Sequence, residues 1–141
     1  MNAEARYRQL LDRARERGLR MTPQREVLLR VLSRIDHHPT ADELYRGVRR
    51  LLPSVSPATV YRNARTLAHS GVISTLERAS EAIRYDANLE EHHHFVCERC
   101  GKVTDIYLAR VSYRLDRKRS PLAGRTVAAC EVQLRGRCPR C

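Results

Sequence analysis

The chain has 141 residues, 42% of them hydrophobic, with six Tyr, one Phe and no Trp, so one medium or two small aliphatic cores are within reach. No run of 18 apolar residues occurs and the first residues hold no apolar signal segment, which excludes a membrane span and leads us to expect a soluble, cytoplasmic protein with no membrane partner. Lys and Arg number 27 against 16 Asp and Glu, a formal charge of +11, and 25 of the basic residues are Arg, a side chain suited to phosphate forks and guanine edges; a plain compositional bias towards Arg is the alternative.

Residues 4–17 read as a helix with Tyr7, Leu10, Leu11 and Ala14 along one stripe and Gly18 ending it. Thr22 and Pro23 read as N-cap and first helical residue of a second helix over 24–34, where Val27, Leu28, Val31 and Leu32 repeat at helical spacing. After His37, His38 and Pro39, Thr40 caps a third helix carrying Leu44, Val48 and Leu51, which Pro53 stops. Ser56 and Pro57 open a fourth, with Val60, Ala64 and Leu67 on its buried stripe and Thr59, Arg62, Asn63 and Thr66 largely on the other face. Hydroxyl, guanidinium and amide groups near a helix N-terminus can meet base edges, whereas the bland reading is a solvated helix face. Gly71 ends this helix, and short strands over 72–77 and 82–86 follow, around a turn at 78–81. Three helices, a polar-faced fourth and a hairpin make a winged helix-turn-helix over residues 1–86. Residues 1–85 hold 16 Arg against nine acidic residues, so most of the net charge lies in this half, which favours duplex DNA as partner.

From residue 87 the pattern changes to short strands, over 95–97, 102–107 and 126–134, with a helix expected at 108–118. So few strands cannot close a core alone, and pairing with a second copy covers them; a twofold homodimer also suits palindromic DNA. The expected fold is therefore α+β: a winged helix-turn-helix at 1–86, then a small α/β dimerisation domain with a Cys₄ zinc site at 87–141.

Cys97/Cys100 and Cys138/Cys141 form two Cys-x-x-Cys turns, and the first is followed by Gly101. Each turn offers two thiolates at the bite of a tetrahedral ion, so the four make a closed structural Zn²⁺ site; a redox dithiol is the alternative. Cys130 is left over and is expected as a small buried hydrophobe on a strand. The histidines cannot join a filled Cys₄ site. In a strand His92 and His94 point to one face and His93 to the other, with Asp105 on the adjacent predicted strand, Asp86 ending the hairpin and His38 in the loop after the second helix. Three imidazoles and two carboxylates make an N₃O₂ regulatory shell suited to Fe²⁺, Mn²⁺ or Zn²⁺; a surface His-x-His is the plainer reading.

The runs Gly18-Leu19-Arg20-Met21-Thr22-Pro23-Gln24-Arg25, His38-Pro39-Thr40-Ala41-Asp42-Glu43-Leu44-Tyr45, Ala58-Thr59-Val60-Tyr61-Arg62 and His92-His93-His94-Phe95-Val96-Cys97-Glu98-Arg99-Cys100-Gly101-Lys102 resemble the ferric uptake regulator (Fur) family of metal-dependent repressors over about 18–141. The resemblance implies a winged-helix reader, a dimerisation domain and repression by the metal-loaded dimer at AT-rich inverted repeats. It maps the sensing site onto His38, Asp86, His92, His94 and Asp105, and the structural zinc onto the four paired cysteines. It makes Tyr61 and Arg62 base-contacting residues and sends Arg20 into the minor groove, with Ser56, Thr59 and Asn63 completing the expected DNA-contacting set.

Asp86 and Asp105 resemble the family's peroxide-sensing (PerR) branch, which implies a regulatory Fe²⁺ or Mn²⁺ and Fe²⁺-catalysed oxidation of His38 or His92. Arg62 resembles the iron regulators instead, so an iron- or zinc-responsive uptake regulator is the rival. A third metal site known in the family would need a His at Cys130 and an acidic residue near 110–112; neither is present. Outside the family, a non-haem iron oxygenase and a thiol redox switch compete, the first lacking any suggested substrate pocket.

Overall fold

The computed structural model describes residues 1–77, 82–122 and 124–141, so the turn expected at 78–81 lies outside the described residues. The chain divides into two compact units, Met1–Leu89 and Glu90–Cys141. No helix among the described residues is long and apolar enough to cross a membrane.

The first unit holds four helices: α1 (Ala3–Glu16), α2 (Pro23–Arg34), α3 (Ala41–Leu51) and α4 (Pro57–His69). Local chemistry starts each one. The side chains of Asn2, Thr22, Thr40 and Ser56 each accept a hydrogen bond from a first-turn backbone N–H, and Thr40 forms a full capping box with Glu43. Gly18 and Gly71 sit at φ +65° and +73°, left-handed values that let the chain leave α1 and α4 abruptly. Leu10, Leu28, Leu29, Leu32, Leu44 and Leu67 are fully buried at the helix junction. Each such leucine contributes about 1.5–3 kcal/mol relative to exposure. Gly47 permits a close crossing, since a Cβ there would meet Val31 Cγ1 at 2.7 Å.

The hairpin of this unit pairs β1 (Ser74–Leu76) antiparallel with β2 (Arg84–Asp86), Ser74 opposite Asp86. The first strand is shorter than expected because Val72 and Ile73 fold into the helical core, their N–H groups donating to the Leu67 carbonyl at 3.0 and 3.4 Å. An isolated bridge between Thr40 and Arg84, with Tyr85 N–H donating to the Pro39 carbonyl at 2.9 Å, ties the loop after α2 to the second hairpin strand. This is a winged helix-turn-helix.

The second unit is a three-stranded mixed sheet. Central β3 (His93–Cys97) pairs antiparallel with β4 (Val103–Ile106) and parallel with β5 (Gln133–Gly136). The helix expected at 108–118 does not form: the segment has no regular secondary structure, with a turn at 117–119. Its apolar side chains are exposed, Tyr113 at 61% and Leu115 at 46%, so among the described residues of this unit nothing covers a helical face. Arg110, Arg114 and Lys118 would also stack like charges at i, i+4. The strand expected at 126–134 begins only at Gln133, and Cys130 is exposed outside any strand rather than buried in one.

Candidate metal centres and DNA-facing helix

Sheet register builds the thiol cluster. Pairing of Cys97 with Gly136 across β3 and β5 carries the Cys138 turn alongside the Cys97 turn. Gly101, at φ +70°, closes that first turn by donating its N–H to the Cys97 carbonyl at 2.8 Å. The Sγ atoms of Cys97 and Cys141 lie 3.2 Å apart, those of Cys100 and Cys138 3.7 Å, and those of Cys138 and Cys141 3.0 Å. Tetrahedral zinc with bonds of about 2.3 Å requires sulfur separations of about 3.8 Å, so the four fit the ion within tenths of an ångström to about 0.8 Å. All five cysteines are free thiols.

The cluster already distributes its protons unequally. Backbone N–H groups of Cys100 and Cys138, with the Cys141 thiol, pull Cys97 down to about 5. Cys138 is lowered as well, chiefly by its bond from Cys141. Cys141, whose sulfur lies against those of Cys138 and Cys97, is pushed up to about 12 by these contacts.

In the first unit the strand-to-loop bridge brings His38 and Asp86 together, Nε2 to Oδ1 3.7 Å, both buried at 6% and 3% exposure. The Arg84 guanidinium donates to the His38 carbonyl at 2.8 Å, and Asp86 accepts from Asn88 N–H at 2.8 Å, so both side chains are held in place.

In the second unit His92, His94 and Asp105 converge. His94 faces Asp105 directly across β3 and β4, and Asp105 Oδ1 lies 3.6 Å from His92 Nε2 and 3.9 Å from His94 Nε2. The His92 Nδ1 is 2.7 Å from the Glu90 carbonyl, which can only accept, so that nitrogen carries the proton. The His94 Nδ1 is 3.1 Å from the Glu131 carboxylate and carries its proton likewise. With both Nδ1 atoms facing acceptors, the Nε2 atoms of the two rings are turned towards one another across 3.0 Å. A proton shared by the two nitrogens or an ion held by both satisfies that separation, and the donor set suits a divalent transition metal. His93 is turned away, its Nδ1 accepting from Val132 N–H at 3.2 Å. Glu131 was missed because it precedes β5 by two residues and is distant in sequence from His94; only the parallel pairing of β5 reveals it.

The residues expected to meet DNA lie on α4 and the loop before α2. Arg20 and Arg62 are exposed, and Thr59 and Asn63 are half-buried on the outer face of α4. Ser56 Oγ and Thr59 Oγ1 share a hydrogen bond of 2.9 Å. The Tyr61 hydroxyl donates to Asp42 of α3, a bond that raises its pKa and keeps the phenol neutral.

A winged helix with a polar outer face, followed by a sheet that gathers four thiols and a His/carboxylate centre, defines a metal-binding, DNA-binding regulator. The chain belongs to the ferric uptake regulator family, whose model matches residues 16–134. It is accordingly a transcriptional regulator and not an enzyme. It is 33% identical over 127 residues to the peroxide-responsive repressor of Staphylococcus aureus, covering 90% of this chain and 85% of that protein. The Campylobacter jejuni peroxide stress regulator superposes with a TM-score of 0.64 at 30% identity, covering 94% of this chain and 96% of that one. The Helicobacter pylori ferric uptake regulator shares the fold at a TM-score of 0.73 and 23% identity, covering 100% of this chain and 94% of that one.

Proposed function

We propose that this family member represses transcription as a metal-loaded homodimer on AT-rich inverted repeats, and that peroxide relieves repression through oxidation of His38 or His92. The observation that carries the reading is the pair of opposed Nε2 atoms on His92 and His94 beside Asp105, matched by the buried His38–Asp86 pair. One ion shared by these five side chains would couple residues 1–86, as reader, to residues 87–141, as dimerisation module. The exposed Tyr107, Tyr113 and Val127 of the second unit, at 61%, 61% and 55%, support its pairing with a second copy.

Within this scheme His38 and Asp86 restrain the reader, while His92, His94 and Asp105 anchor the clamp to the sheet. Raising the DNA-competent arrangement from 1% to 99% requires about 5.5 kcal/mol of differential binding, a demand that five ligands drawn from both modules can meet. Zn²⁺ belongs to the Cys97, Cys100, Cys138 and Cys141 cluster and Fe²⁺ or Mn²⁺ to the His/Asp set. Fe²⁺ held by His38, Asp86, His92, His94 and Asp105 would supply the one-electron reduction of peroxide to a local oxidant, chemistry that Mn²⁺ in the same place would resist. The imidazole carbons of His38 and His92 are the oxidisable groups beside that position, and a ring so altered loses its grip. The two aspartates at 86 and 105 and the peroxide-responsive relatives support this branch.

The test is direct. Fe²⁺-loaded protein treated with micromolar peroxide should leave its operator and gain the mass of one oxygen atom on His38 or His92, while Mn²⁺-loaded protein does neither. Unchanged histidine masses with undiminished operator binding overturn the proposal. Arg62 favours a second reading, an iron- or zinc-responsive uptake regulator; release on metal withdrawal alone, without histidine oxidation, would select it.

A further inference from the structure

One side chain joins the two DNA-facing segments of the first unit. Arg25, in the first turn of α2, donates from Nε to Asn63 Oδ1 on α4 at 3.1 Å and from Nη1 to the Arg20 carbonyl at 2.6 Å. A guanidinium carries donors only, so the atom it meets on Asn63 must be the amide oxygen. That fixes an orientation that solvent would otherwise leave free.

We propose that Arg25 is a specificity-determining positioning residue that fixes the amide of Asn63 so that its NH₂ group is the donor presented to the major groove. This rests on the reading of α4 as the base-contacting helix. An unrestrained asparagine pairs with adenine in bidentate fashion, accepting from N6 and donating to N7. With one lone pair of Oδ1 taken by Arg25, the amide is held in one orientation, and its NH₂ group is the donor it presents. It then favours acceptors on the groove edge: guanine offers both O6 and N7 and thymine O4, whereas adenine sets its N6 donor beside the N7 acceptor, and the orientation that would accept from N6 is disfavoured. The same guanidinium holds the Arg20 carbonyl, so the loop entering α2 and the outer face of α4 share one register. Arg25 itself need not touch a base.

The experiment measures binding of the metal-loaded dimer to an operator series in which each half-site base pair is replaced in turn. Wild-type protein should prefer guanine or thymine over adenine at one position. Arg25→Gln should move that position alone towards adenine, by about fivefold or more, with the remaining preferences kept. Asn63→Asp keeps an acceptor for Arg25 but removes the donor, and should shift the same position towards cytosine, whose N4 donates. Arg25→Lys, which still reaches Asn63, should restore most of the wild-type preference.

An unchanged profile for both Arg25→Gln and Asn63→Asp overturns the proposal, as does an equal loss at every operator, which marks a phosphate contact or a purely structural role. Arg62→Ala separates this from the larger reading. If it alters base preference while the Arg25 and Asn63 variants do not, only the present inference fails. If none of the three alters it, α4 is not the reader. Should Arg25→Gln fail to fold, the Asn63→Asp profile decides alone.

Discussion

His94 and Glu131 are 37 residues apart in sequence, yet the Nδ1 of one lies 3.1 Å from the carboxylate of the other. The carboxylate accepts a hydrogen bond from the ring N–H, so the Nε2 of His94 is the nitrogen left for a metal. Outer partners of this kind orient a ligand and raise its basicity. Glu131→Gln should weaken Mn²⁺ binding at the His/Asp site about tenfold while leaving zinc at the thiols untouched. Parallel Mn²⁺ titration and zinc analysis check this, and an unchanged Mn²⁺ affinity argues that Glu131 is bystander surface.

Removing His38 should separate metal binding from DNA binding. His92, His94 and Asp105 still form a partial site in the second unit, so His38→Ala should retain Mn²⁺ weakly but lose metal-dependent operator affinity. Operator titration with and without Mn²⁺ reads the outcome directly. If the variant still gains affinity from Mn²⁺ as the wild type does, a clamp through His38 is wrong.

Zinc retention should depend on pH in a direction that the thiol cluster dictates. Cys97 is held down to about 5 and Cys141 up to about 12, so at neutral pH the first is a thiolate and the second still a thiol. Zinc entry must expel at least the Cys141 proton, and apparent affinity should therefore rise at least about tenfold per pH unit between about pH 6 and 8. Below about 5, Cys97 is protonated too and the dependence steepens. A depressed thiol contributes stability above its unfolded value and loses it as pH falls through the folded one, so acid should release the ion. Chelator competition across this range, giving a flat affinity, would falsify the assignment of Cys141 as the proton holder.

Packing offers a prediction free of any ligand. A methyl at Gly47 would approach Val31 Cγ1 to 2.7 Å, at a crossing of α2 and α3 that α4 also depends on. Gly47→Ala gains helix propensity but overpacks this crossing, with a net cost of about 1–2 kcal/mol. Denaturant unfolding measures it; a stabilised variant would mean the valine rotates aside without strain.

The helices of the first unit were legible because their signals are local. Thr22-Pro23, Thr40 with Glu43 and Ser56-Pro57 announce N-termini in consecutive residues, and the apolar stripe of each helix recurs at 3.6-residue spacing. The thiol and imidazole clusters were legible for a related reason: Cys-x-x-Cys and His-x-His carry their geometry in spacing, through a turn in one case and strand alternation in the other. Residues 108–134 were misread because their pattern is only half of an interaction. A helix at 108–118 needs an apolar partner surface, and neither periodicity nor composition says whether one is supplied.

By itself the sequence determined which side chains are available as thiolate, imidazole and carboxylate donors, where each helix begins, and which face of α4 is polar. Tertiary structure alone decided that Glu131 reaches His94, that Arg25 holds both Asn63 and Arg20, and that Cys130 stands in solvent. These follow from the parallel pairing of β5 and from the packing of α2 against α4, contacts between distant segments. Spacing along a chain sets local geometry; only the closure of the core brings remote donors and acceptors within reach.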